Sequence, residues 1–104
     1  MIIASRKGWL ENLGQTPLMF ACFTGNMEVA QLLIDKGGYI NAQTNTGVTP
    51  LIAAVLRKQL PLVELLLDNC ADLSLMTKSG KTALDVARSL GNAKIIKLIE
   101  ENDQ

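Results

Sequence analysis

The stretch Gly47-Val48-Thr49-Pro50-Leu51-Ile52-Ala53-Ala54 decides how this chain folds, because it is written three times. Gly14-Gln15-Thr16-Pro17-Leu18-Met19-Phe20-Ala21 stands 33 residues before it, and Gly80-Lys81-Thr82-Ala83-Leu84-Asp85-Val86-Ala87 stands 33 after it. A fixed period of this length signals stacked supersecondary units, each touching mainly its neighbours. Registered on the glycines, the units are 11–43, 44–76 and 77–104, with 1–10 as an N-terminal extension or partial cap. The first two share nine of 33 residues: Asn12/Asn45, Gly14/Gly47, Thr16/Thr49, Pro17/Pro50, Leu18/Leu51, Ala21/Ala54, Leu32/Leu65, Leu33/Leu66 and Asp35/Asp68. These are turn, cap and core types.

Each unit opens with a turn that ends in Gly, as a type I turn prefers. Thr then serves as N-cap, and Pro fits the first helical position, where its missing N–H costs nothing. Thr82-Ala83 keeps the cap without the proline. The pattern predicts a short first helix from about Pro17 to Phe23 and from Pro50 and Ala83, with Gly25 and Gly91 as left-handed C-caps. Second helices begin near Met27, Pro61 and Ala93. Their apolar residues, Val29, Leu32 and Leu33, Leu62, Leu65 and Leu66, and Ile95, Leu98 and Ile99, recur at i, i+3, i+4 on one face. Gly37-Gly38 ends the second helix of the first unit, and Tyr39 to Thr46 forms an extended turn pair. A lone pair of short helices cannot bury its apolar face, so stacking must supply the surface. Ala21, Ala54 and Ala87 are small where successive first helices must approach.

Composition narrows the function. The 104 residues include 48% apolar types, enough for one core, and ten basic residues balance ten acidic ones. No net field draws the chain to nucleic acid or to an anionic membrane. It contains no histidine, the commonest general base and metal ligand. Cys22 and Cys70 are too few for a disulfide framework and lack metal-ligand spacing, which points to a reducing compartment, cytoplasm or nucleus. The longest apolar run, Leu51 to Leu56, is too short to span a bilayer. Cys22 falls at a core-type position, Glu100-Glu101 on a solvated helix end, and Gly37-Gly38 lacks the Lys-Ser/Thr of a phosphate loop. The residues therefore read as no enzyme, with no cofactor and no metal.

Gly-x-Thr-Pro-Leu followed by Ala, with Asp and paired leucines downstream at a 33-residue period, resembles the ankyrin repeat over residues 11–104. The resemblance implies an all-α solenoid of stacked helix-turn-helix units with short β-hairpin-like turns. It also implies a protein partner, bound by the hairpin tips and the concave face of the first helices. Carried over by register, the tip residues are Asn12, Leu13 and Gln15, then Asn45, Thr46 and Val48, then Lys78, Ser79 and Lys81. The first-helix ends give Phe23 and Thr24, Leu56 and Arg57, and Ser89 and Leu90. Phe23, Leu56 and Leu90 read as an apolar strip on the concave side, with Arg57, Lys78 and Lys81 beside it.

The chain also departs from that pattern. The family usually has His after Thr-Pro-Leu, where it ties hairpins together; here stand Met19, Ile52 and Asp85. Lys58 and Cys70 occupy the registers of Gly25 and Gly37, at a cost of about 1 kcal/mol each if left-handed, so the middle unit is expected to be the least regular. The last unit is polar on its outer side, with Arg88 where Cys22 and Val55 stand, as a terminal capping unit requires. Residues 1–10, with Ile2, Ile3, Trp9 and Leu10, have three readings: a cap folded over the first unit, the remnant of a preceding unit, or an open face that stacks on another chain. Alternative functions follow, namely a terminal capping piece of a longer array, or self-association through the N-terminal face. Asn41, with Leu33 eight residues earlier, resembles the context in which ankyrin asparagines are hydroxylated, although Tyr39 replaces the usual acidic residue.

Overall fold

A computed structural model describes residues 16–102. The expectations placed on residues 1–10, Asn12, Leu13 and Gln15 lie outside the described residues. Six helices follow one another: α1 Pro17–Thr24, α2 Met27–Asp35, α3 Pro50–Leu56, α4 Leu60–Asp68, α5 Ala83–Leu90 and α6 Ala93–Asn102. No strand is present among the described residues.

The first helices start where the cap chemistry places them. The hydroxyls of Thr16, Thr49 and Thr82 accept from the backbone N–H of Met19, Ile52 and Asp85 at 3.2, 3.1 and 3.2 Å. Thr49 is buried, and its hydroxyl oxygen accepts this cap bond away from solvent. Asn26 and Asn92 cap α2 and α6 in the same way, on Val29 and Ile95. Gln59, at the same register, makes no side-chain cap bond, and α4 begins one residue earlier than Pro61 suggests.

Gly25 and Gly91 close α1 and α5 in the left-handed region, with φ of 76° and 71°. The middle unit achieves the same turns without glycine: Lys58 has φ 56° and Cys70 φ 64°. The departures from the repeat among the described residues gather in this unit, which also holds the uncapped Gln59, yet its helix pair is retained. Helices α3 and α4 run for 7 and 9 residues against 8 and 9 in the first unit. The strain stays local because the caps and the stacking on both sides over-determine the backbone.

Within each unit the two helices pack together. Between units, α1 packs on α3 and α3 on α5, while α2 packs on α4 and α4 on α6. Ala21, Ala54 and Ala87 are all buried in this seam, which lets the first helices approach. The core runs through the stack and is densest in the middle unit, where every residue from Leu51 to Val55 is buried. At the far end Arg88 stays exposed and pairs with Glu100 at 3.0 Å.

Candidate partner-binding surface

Two hairpin tips are fully described, and their backbones make the same bonds. Thr44 N–H donates to the Val48 carbonyl and Gly47 N–H to the Thr44 carbonyl, both at 2.9 Å. One period later, Thr77 donates to Lys81 and Gly80 to Thr77, again at 2.9 Å. The tips are also joined to each other: Lys78 N–H donates to the Thr46 carbonyl at 2.9 Å. Gln43 adds a side-chain tie, its Nε2 donating to the Gly47 and Met76 carbonyls at 3.0 Å each. Gly47 is required here. Its φ is 86°, and a Cβ would lie 2.8 Å from the Met76 carbonyl oxygen and 2.8 Å from Thr77 Cα.

These bonds join the tips without a histidine after Thr-Pro-Leu. Met19 and Ile52 are buried as core instead. Asp85 turns back on its own helix and accepts from Thr82 N–H at 3.1 Å, which completes a capping box. That bond, aided by the Thr82 hydroxyl and the cations Lys81 and Arg88, holds its carboxyl below the ordinary value. Asn41 Oδ1 accepts from Asp72 N–H at 2.8 Å, a further link between units one and two.

Between the second and third tips lies a groove of about 410 Å³. Six of the residues carried over by register line it: Thr46, Val48, Leu56, Lys78, Ser79 and Lys81. Ile52 and Val86 add to its floor and Thr77 to its wall, none of them anticipated from the sequence. The volume falls within the range of sites that hold a side chain or small ligand.

The other expected residues fall elsewhere. Asn45, Arg57, Ser89 and Leu90 are exposed but do not line the groove. Thr24 is exposed too, and its hydroxyl donates to the Phe20 carbonyl of its own helix at 3.0 Å. Phe23 is half-buried against the core, whereas Leu56 is 42% exposed. The strip is therefore uneven: Phe23 is its covered member, Leu56 and Leu90 are open, and of the three Leu56 lines the groove. Cys22 is buried with its thiol pushed up to about 12 by desolvation, a packing residue without nucleophilic character at neutral pH.

A family model described as ankyrin repeats (3 copies) matches residues 2–77 and again residues 39–104. The chain belongs to the ankyrin-repeat family. No curated protein matches it. Ankyrin repeats generally mediate protein–protein interaction and are typically non-catalytic. No helix among the described residues is long and apolar enough to cross a membrane.

Proposed function

We propose that this ankyrin stack is a non-catalytic docking module that holds one protein partner through its hairpin tips and the ends of its first helices. The groove across the seam between units two and three carries the reading. Residues chosen by register alone, from two tips and one helix, meet around one concavity. Leu56 is the apolar group it offers to solvent.

Affinity capture from a cytoplasmic or nuclear extract tests it, with wild type compared with Leu56→Ser and Leu32→Ser. Leu32 is 53% exposed on α2, away from the groove, and serves as the matched control. A partner held by wild type and Leu32→Ser but lost by Leu56→Ser supports the reading. Equal capture by all three sinks it.

One observation favours a second reading, in which the first unit packs against a further copy or a further repeat. Phe20 and Val29 are 58% and 41% exposed, while their counterparts one period on, Ala53 and Leu62, are fully buried. Sedimentation velocity over a hundredfold concentration range separates the two. A mass that rises with concentration, and stops rising in Phe20→Ser, favours self-association. A fixed monomer mass leaves the capping role within a longer array.

A further inference from the structure

The groove is amphipathic in a way that selects its occupant. Its floor is aliphatic, built from Val48, Ile52, Leu56 and Val86, and it presents almost no polar atom to a ligand seated there. Its rim on the third-unit side carries Lys78 and Lys81, both exposed. Among the described residues the one ion pair within 4.0 Å joins Arg88 and Glu100, so neither lysine has a carboxylate at that distance. The carboxylate on the adjoining helix, Asp85, turns back to accept from the Thr82 backbone N–H and makes no ion pair with Lys81 within 4.0 Å, although the lysine's charge helps to keep it ionised. The second-unit residues that line it, Thr46, Val48, Ile52 and Leu56, carry no charge. Cation and apolar surface thus meet on one side only.

We propose that the groove receives an extended segment of a partner protein, with one large apolar side chain on the floor and acidic residues on the single flank that meets Lys78 and Lys81. The inference rests on the tips and first helices being the docking face. Complementary charge at such a rim sets specificity and association rate, while the buried apolar anchor supplies most of the affinity. Nucleic acid is the poorer fit. Two lysines beside an aliphatic floor, on a chain with no net charge, lack the run of cations that a phosphate backbone needs.

Selection of random dodecapeptides displayed on phage, against the full chain, tests the proposal. The expected pool has a central Leu, Ile, Met or Phe with two or more Asp or Glu on one side. A synthetic peptide from that pool should bind about tenfold more weakly to Lys78→Glu/Lys81→Glu, and its affinity should fall as salt rises. Both lysines are exposed, so this variant should keep its fold, which circular dichroism checks. Selection repeated on the variant should exchange acidic for basic flanks. A pool that depends on Leu56 but carries no acidic bias overturns the inference and leaves the docking face standing. A pool indifferent to Leu56, Lys78 and Lys81, or no enrichment over the unselected library, overturns both. Tighter binding of a single-stranded oligonucleotide than of any selected peptide also overturns it.

Discussion

Lys58 and Cys70 hold φ of 56° and 64°, a region that costs a residue with a Cβ about 1–2 kcal/mol. Glycine would remove that strain but gives back about 0.4–1 kcal/mol through its freer unfolded chain. The relief of strain outweighs that loss, so Lys58→Gly should stabilise the protein by about 0.5–1 kcal/mol. Urea unfolding measures it, and a midpoint that stays put or falls would show that Lys58 sits there without penalty. These two positions were legible from the sequence because the register names the glycine they replace. Gln43 was not. Its side chain bridges two backbone carbonyls, Gly47 and Met76, and a carbonyl carries no residue signature. The partial burial of Phe23 was equally invisible, since its counterpart Leu56, at the same register, is exposed.

Element boundaries follow from short-range chemistry, and that is why they could be read closely. Thr-Pro fixes the start of α1 and α3, and glycine after the last turn fixes the end of α1 and α5. Asn26 and Asn92 cap α2 and α6 by the same chemistry, while Gln59, one methylene longer, makes no such bond. Helix α5 has the fullest N-terminus, with Thr82 and Asp85 exchanging bonds. Its pH response follows from the direction of the Asp85 shift. A carboxyl held below its ordinary value of 3.8 stabilises the fold at pH above that value, and the benefit is lost as pH falls through the folded-state value. Urea unfolding followed from pH 5 to pH 2.5 should show a decline in stability that is smaller in Asp85→Asn. An unchanged pH profile in that variant would show that the capping box carries none of the decline. Asp72, lowered by the Ser74 hydroxyl and backbone N–H, contributes in the same direction and persists in the variant.

For the whole molecule, stability should grade with how many neighbours a unit has. Val29 and Leu62 occupy one register, yet Val29 is 41% exposed and Leu62, in the unit flanked on both sides, is fully buried. Leu62→Ala should cost about 3–4 kcal/mol, and Val29→Ala about 0.5–1 kcal/mol. Comparable losses in denaturant unfolding would mean that the stack does not fold by nearest-neighbour coupling. The solenoid itself was legible at once, because its period is written in glycine, threonine and proline. The groove was legible only in part. Register brought Thr46, Val48, Leu56, Lys78, Ser79 and Lys81 forward, but Ile52 and Val86 are buried and have the look of core, although they line the groove. One wall of that groove belongs to the second unit and the other to the third, joined by the bond from Lys78 to Thr46. The cleft is therefore a property of adjacency. A duplication or loss of one whole period would leave a cleft of the same shape with a different lining, whereas an insertion of any other length in the connecting turns would erase it. The 33-residue spacing thus makes this surface modular: its geometry is inherited intact while its chemistry is free to be reshuffled.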